Sequence, residues 1–193
     1  MNNNDIENRF EEDKSPVDAR ILLDLGKCQS VGNLTLNDLP DTPGLYSIHI
    51  QNFDILPTKL GTELRRQDDT LLYIGKTTKS LRKRLWEEEL HAQRPATFFR
   101  TIGAVLGFRP PKSSLAGKSN QCNYRFSSDD NAKIIQWIED NLLVNFIECT
   151  NNINYIEKHL IQEAKPLMNI QNNPKPFEFV IKSRKECRDR ARS

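Results

Sequence analysis

Residues 71–85 read LLYIGKTTKSLRKRL, and the pattern of this stretch changes from strand to helix at its centre. The first five residues form a short apolar run that ends in glycine, which is typical of a buried strand. Further on, Leu81 and Leu85 recur at helical spacing behind Ser80, a residue type that caps helix N-termini. The stretch therefore predicts a strand followed by a helix that returns over the sheet.

A second strand is predicted upstream, over residues 45–50 (LYSIHI), after a turn marked by prolines and Gly44. Both strands are apolar on both faces, which predicts helices on both sides of the sheet. A third strand is predicted over residues 146–149. This order of elements indicates the α+β class: a small antiparallel three-stranded sheet flanked by helices, with extra helices and polar tails.

Apolar residues at helical spacing predict core helices over 131–144 and 153–164, and shorter ones over 18–25 and 98–106. By contrast, residues 51–69 show no clear period, and residues 109–130 have the composition of a loop. A chain of 193 residues has room for one domain with additions. Its expected parts are a disordered N-terminal tail (1–15), a helical extension (16–39), the core domain (40–172) and a peripheral basic tail (173–193).

Positive charge is concentrated in one part of the chain. The net charge is only +2, but eight Lys and Arg residues between positions 76 and 109 are opposed by only three acids, at 87–89. A locally basic segment is the usual footprint for a nucleic-acid backbone. On charge alone, a solvated helix face is the simpler interpretation.

Cysteine spacing and hydropathy narrow the class of protein further. The four cysteines lie far apart in the sequence, so neither a zinc site nor a disulfide framework is expected. No apolar run reaches membrane-spanning length, and no signal peptide opens the chain. We therefore expect a cytoplasmic protein with no membrane partner; the sequence does not predict its oligomeric state.

One carboxylate lies within the apolar stripe of the predicted helix 153–164. Glu157 follows Ile153 by four residues and precedes Leu160 by three. An inward-facing carboxylate is costly unless it is paired or binds a metal. By spacing alone, a structural ion pair or a stripe edge that reaches solvent is the simpler explanation.

Four more residues each have a functional and an ordinary interpretation. Arg84 lies three residues after Leu81, near the packed face of its helix, where an arginine can hold a phosphate through two hydrogen bonds. A solvated arginine explains the same position. Tyr46 and Tyr73 lie in strands, where tyrosines usually serve packing, and a lysine such as Lys76 after a strand is usually exposed. Taken singly, none of them establishes a site.

Taken together and in order, these residues resemble the GIY-YIG nuclease family. The matching segments are Gly44-Leu45-Tyr46, Tyr73-Ile74-Gly75-Lys76, the helix with Arg84, and Glu157 followed by Leu160-Ile161, Pro166 and Asn169. The resemblance covers residues 40–172, and residues 98–107 also resemble an uncharacterised bacterial branch of the family. In two places the chain departs from the pattern: Leu45 replaces the isoleucine of the first motif, and residues 51–69 lengthen a hairpin that is often short.

The resemblance implies a metal-dependent endonuclease that hydrolyses phosphodiester bonds in nucleic acid, with DNA as the expected substrate and Mg²⁺ or Mn²⁺ as the cofactor. It implies that Glu157 binds the cation and that Arg84 holds the scissile phosphate. Tyr46 would orient or deprotonate the attacking water, with help from Lys76. Tyr73 would support the same hydrogen-bond network.

Further residues are expected around this site. His91, two helical turns after Arg84, is a candidate auxiliary base or phosphate contact, although a surface histidine is the simpler interpretation. The main alternative function is a non-catalytic binding module, but such a module would be expected to have lost Tyr46, Arg84 or Glu157. The expected nucleic-acid contacts are Lys79, Arg82, Lys83, Arg94, Arg100 and Asn169, the last by orienting the backbone around the active face.

Overall fold

The structure, a computed structural model, describes residues 19–94 and 96–193. A four-stranded sheet lies at its centre: β1 (Gln29–Ser30), β2 (Gly44–Ile50), β3 (Leu71–Thr77) and β4 (Leu142–Glu148). The strands lie in the order β1-β4-β2-β3, and each neighbouring pair is antiparallel. The α+β class is confirmed. The expected disordered tail, residues 1–15, falls outside the described residues.

Helices surround this sheet. The α-helices are α1 (Thr58–Gln67), α2 (Thr97–Val105), α3 (Ser128–Asn141), α4 (Ile153–Ala164) and α5 (Glu178–Arg192). The helix predicted after Ser80 is a π-helical segment, Arg82–Leu90. Short 3₁₀ helices are found at Ala19–Leu23, Leu25–Lys27, Val31–Asn33, Leu36–Asp38 and Phe53–Ile55.

Side chains alternate across the two faces of the sheet, and helices cover both faces as the sequence predicts. Tyr46 and Ile48 of β2 point into the larger core, which also contains residues of α2 and α3. Leu45 of β2 and Ile74 of β3 point the other way, where Leu160 of α4 packs on them. The sheet therefore separates an α2/α3 side from an α4 side.

The register of β2 and β3 sets two tyrosines side by side. Tyr46 is paired with Gly75, and Tyr73 with Ile48, so both tyrosines lie on the α2/α3 side of the sheet with their ring centroids 6.4 Å apart. Gly75 is needed here because a Cβ at this position would overlap the Tyr46 ring. This close approach explains why a glycine ends the LLYIG run.

The expectation of a three-stranded sheet was wrong by one strand. β1 lies within the segment expected to be a helical extension, 16–39, and it pairs with β4 through Gln29↔Val144 and Ser30↔Leu143. Two residues are too few to show a period, and the rest of the described segment forms 3₁₀ turns. The third predicted strand begins earlier than expected, at Leu142. Its first apolar residues fit a helical pattern and a strand pattern equally, so the sequence did not show the boundary.

Two segments read as irregular are helices. α1 lies inside residues 51–69, and its Leu60 and Leu64 are fully buried one turn apart. The tail expected at 173–193 contains α5, which packs on α2 and buries Val180 and Cys187 completely. The prediction of a peripheral tail was therefore wrong. Dense surface charge lowered the apparent hydrophobicity of both helices and hid their apolar stripes.

Two expectations about class can be compared with the fold directly. All four cysteines are free thiols. Within the described residues, no helix is both long enough and apolar enough to span a membrane.

Candidate active site

The π-helical segment places an arginine between two carboxylates. Nη1 of Arg84 lies 3.0 Å from Oε2 of Glu88, and its Nη2 lies 3.1 Å from Oε1 of Glu89. Burial lowers the pKa of Arg84, but the charge of Glu89, together with Tyr46 and the hydrogen bond to Glu88, outweighs this and raises it above the ordinary arginine value. The guanidinium is therefore a permanent cation, and its side chain keeps 32% of its surface exposed.

Tyr46 joins the same group from the strand below. Its hydroxyl donates to Oε1 of Glu89 at 3.1 Å, and its ring is fully buried. Burial and the nearby charge of Glu89 raise the pKa of Tyr46 well above its usual value, so the phenol stays protonated. We call Tyr46, Arg84, Glu88 and Glu89 the arginine cluster; in it, the Tyr46 hydroxyl positions its neighbours and has no contact with bulk water.

A second group lies on the α4 side of β3. Lys76 is two residues beyond Ile74, so its side chain points toward α4, where Nζ donates to Oε2 of Glu157. The Glu157 side chain is 14% exposed. The spacing of Glu157 in its helix favoured a structural ion pair, and that ion pair is present. We call Lys76 and Glu157 the lysine–glutamate pair.

Tyr73 lies beside Tyr46 on the α2/α3 side of β3, and charges from both groups act on it. Its pKa is raised well above the usual range, first by burial and then by the charge of Glu89, and the charge of Glu157 adds to this, while Arg84 opposes it. Tyr73 is thus within electrostatic reach of both the arginine cluster and the lysine–glutamate pair. Tyr46 and Arg84 lie on the α2/α3 side of β3, whereas Glu157 approaches from the α4 side. The convergence of these three side chains on one substrate therefore stays a prediction.

The backbone at this point is held by Asn169. Its Oδ1 accepts from the Ile74 amide and its Nδ2 donates to the Ile74 carbonyl, both at 2.9 Å. These two bonds complete the outer edge of β3 between Tyr73 and Gly75. Asn169 therefore orients the backbone, as expected; its buried amide is used within the protein, so its inclusion among the nucleic-acid contacts is corrected.

Glu157 is the residue that could hold a divalent cation. No group of three or more His, Cys, Asp and Glu side chains is arranged as a metal site among the described residues. A single accessible carboxylate fits Mg²⁺, which keeps several waters and often takes only one or two protein carboxylates. The donor set is compatible with a hydrated cation and does not fit a fully protein-enclosed site. Lys76 now occupies one oxygen of that carboxylate.

The predicted nucleic-acid contacts divide by exposure. Lys79, Lys83 and Arg94 are exposed, as a backbone contact requires. Arg82 donates to the Leu39 carbonyl at 3.1 Å. Arg100, on α2, is buried in the protein interior. Burial, followed by the charge of Arg184, lowers its pKa to about 10. The prediction that Arg100 contacts nucleic acid is therefore corrected.

His91 does not join either group. Its Nδ1 lies 2.9 Å from the Trp86 carbonyl oxygen, and its Nε2 lies 3.3 Å from Oε1 of Glu139 on α3. The ring also packs against Trp86, with centroids 4.0 Å apart. Both nitrogens contact groups of the fold, which explains His91 without an auxiliary catalytic role.

Glu88 and Glu89 are the residues that sequence reasoning missed. They were counted only as charges opposing the basic segment. The spacing of Arg84 and Glu88, four residues apart, was a usable signal for a helical ion pair. Glu89 carried no such signal, because residues five apart share a face only when the helix is π-helical.

Comparison with known proteins identifies one family. Residues 44–189 match the family model of the GIY-YIG catalytic domain. The match begins at the first residue of β2 and extends into α5, so the C-terminal helix is part of the matched domain. Neither the curated proteins nor the solved structures contain a significant match to the chain.

Proposed function

We propose, since the chain belongs to the GIY-YIG nuclease family and is therefore a phosphodiester hydrolase, that it is a divalent-metal-dependent endonuclease acting on DNA. The observation that carries the proposal is the position of Tyr73. Its ring lies beside Tyr46 on the α2/α3 side of β3, and the charges of both Arg84 and Glu157 act on its hydroxyl. A phosphate bound beside Tyr73 would have a cationic clamp and a metal-binding oxygen within reach.

Arg84 would bind the scissile phosphate. Its Nη2 is held by the buried Glu89, while its Nη1 bonds to Glu88, which is partly exposed. A phosphate oxygen can therefore take the place of Glu88 without releasing the guanidinium from Glu89. Such charge-assisted bonds aimed at a phosphoryl group stabilise the charge that develops during cleavage.

Glu157 would hold the cation. When bound, the cation would stabilise charge on the phosphate and on the leaving 3′ oxygen. Lys76 contacts only Oε2 of the carboxylate, so the cation would bind through Oε1, with the ammonium close enough to interact with a phosphate or to lower the cost of deprotonating a nearby group.

The two tyrosines would have different tasks. Tyr46 is fully buried and donates to Glu89, so it would fix the arginine cluster. Tyr73 keeps 8% of its surface exposed and is within electrostatic range of Glu157. Tyr73 is thus better placed than Tyr46 to orient a water molecule, which revises the roles that the resemblance implied.

The exposed basic residues near the site would bind the phosphate backbone. We expect affinity for duplex DNA in EDTA to fall with salt, and replacement of Lys79, Lys83 and Arg94 by alanine together to reduce the slope of log K against log salt by about 3, one per lost contact. Lys133→Ala, which removes an exposed lysine from α3, is the matched control and should leave the slope unchanged. An unchanged slope in the triple variant would remove these residues from the interface.

The substrate and the cation are tested by one experiment. Purified protein is incubated with supercoiled plasmid, a branched DNA junction or RNA, each in Mg²⁺, Mn²⁺ or EDTA. We expect cleavage of at least one DNA substrate in Mg²⁺ or Mn²⁺ and none in EDTA. Cleavage of RNA with every DNA left intact would overturn the DNA assignment, and cleavage in EDTA would overturn the metal requirement.

A further inference from the structure

We propose that Glu89 is a positioning residue for cleavage, which holds Arg84 and Tyr46 in the geometry that receives the scissile phosphate. This inference rests on the proposed function, since it assigns Arg84 to the phosphate. The two side chains that Glu89 holds come from different elements, Arg84 from the π-helical segment and Tyr46 from β2. Arg84 and Tyr46 also interact with each other directly, and Glu89 is the acceptor that both share.

Both oxygens of the Glu89 carboxylate are fully used. Oε1 accepts from the Tyr46 hydroxyl and lies 3.1 Å from Nη2 of Arg84. Oε2 accepts from the backbone amides of Phe98, at 2.8 Å, and Phe99, at 3.3 Å, in the first turn of α2. A fully buried carboxylate is costly on its own, and four donors with one permanent cation offset that cost.

The donors also determine the charge state of Glu89. Burial raises the pKa of the Glu89 carboxyl, and the Arg84 charge and the α2 amides oppose that shift. Since every group that contacts the carboxylate donates a hydrogen, the ionised form satisfies all four contacts. A glutamine side chain has the same shape but could not satisfy all four contacts. Whichever way its amide is turned, the NH₂ group would face hydrogen-bond donors.

The π-helical form of residues 82–90 explains how Arg84 and Glu89 meet. In an α-helix, residues five apart are separated by about 140° around the axis, so their side chains diverge. In a segment with i→i+5 bonds, five residues complete roughly one turn, and the two side chains share a face. π-Helical geometry is rare in proteins, and where it occurs it is often found at functional sites. This segment brings a carboxylate behind the phosphate-binding arginine.

A purely structural role for Glu89 is the competing explanation, because Oε2 caps the N-terminus of α2. The two roles use different oxygens, and they predict different kinetics. A lost cap lowers stability and leaves the kcat of the folded molecules unchanged. A displaced Arg84 and Tyr46 lower kcat in molecules that are fully folded.

The test is steady-state cleavage by Glu89→Gln at a temperature where circular dichroism shows the variant to be folded. We expect kcat to fall ~10²-fold, the effect of a misplaced catalytic group, while KM changes by much less. Glu87→Gln removes the same charge from the same π-helical segment and should retain the parent kcat. In an Arg84→Lys background, Glu89→Gln should lower kcat far less than in the parent, because it acts through the arginine.

Three outcomes separate this inference from the proposed function. A parent protein that does not cleave nucleic acid contradicts the proposed function itself. If the parent cleaves and folded Glu89→Gln retains its kcat, or if the effects of Glu89→Gln and Arg84→Lys multiply independently, the positioning role is overturned. If Glu89→Gln does not fold, Glu89→Asp is measured instead, because it keeps the charge but shortens the side chain by one methylene. A drop in the kcat of Glu89→Asp supports the positioning role, and an unchanged kcat overturns it.

Discussion

Replacement of Glu157 by glutamine is expected to lower the cleavage rate on the order of 10³-fold, because it removes the only carboxylate assigned to the cation and with it several kcal/mol of charge stabilisation. Glutamine has the same shape, and its amide oxygen can still accept from Lys76, so the fold and the α4 packing should persist. Affinity for DNA in EDTA should be nearly unchanged, since it depends on the exposed basic residues.

The matched control for this variant is Glu163→Gln on the same helix, α4. Glu163 is half exposed and lies 3.4 Å from Arg20, away from the lysine–glutamate pair. This variant should cleave at the parent rate. If Glu157→Gln also cleaves at the parent rate, Glu157 is only the partner of Lys76 in a structural ion pair, and the cation assignment fails.

Replacement of Arg84 by alanine is expected to damage both cleavage and stability. Cleavage should fall ~10²–10³-fold, the effect of losing one preorganised donor to the reacting group. Stability should fall by ~3–5 kcal/mol, because Glu89 is left as a buried carboxylate without its cation. The measurements are single-turnover cleavage at low temperature and urea unfolding monitored by circular dichroism.

Two further variants separate these effects of Arg84. Arg84→Lys keeps a cation beside Glu89 and should retain most of the stability, but it loses the two-point contact to phosphate and should still cleave slowly. Adding Glu89→Gln to Arg84→Ala removes the unpaired charge and should recover part of the lost stability. Full stability in Arg84→Ala would mean that the α2 amides and the Tyr46 hydroxyl stabilise the charge of Glu89 without the arginine.

The parts of the fold that were predicted are those with strong local patterns. The strand runs at 45–50 and 71–75 were recognisable from their apolar residues and from the glycine that follows Tyr73-Ile74. The stripe of α4 identified Glu157 as a carboxylate that needs a partner, and the structure supplies Lys76. In each case a single element carried enough residues to show its period.

The parts that were missed depend on contacts between elements. β1 is two residues long and exists because β4 offers an edge to pair with. α5 is stabilised by its packing on α2, including Arg184, whose Nη1 donates to the Thr97 carbonyl at 2.9 Å and to Thr101 Oγ1 at 2.6 Å. Tertiary packing of this kind overrides a weak local pattern.

The same reasoning explains what was missed in the site. A π-helical register is not visible in a sequence read at 3.6 residues per turn, so the contact between Arg84 and Glu89 could not be predicted. The buried position of the Tyr46 hydroxyl followed from its pairing with Gly75 and from the carboxylate above it. Sequence motifs named Tyr46, Arg84 and Glu157 as candidates, and the structure shows which neighbours each of them contacts.

The most direct test of the central claim is cleavage of a 5′-labelled DNA duplex or junction by the parent protein under single-turnover conditions, in Mg²⁺ and in EDTA, with analysis of the product ends. Hydrolysis with departure of the 3′ oxygen predicts products with 5′-phosphate and 3′-hydroxyl ends, formed in Mg²⁺ and absent in EDTA. Intact substrate in Mg²⁺ and in Mn²⁺, or products that carry 3′-phosphate ends, would contradict the account.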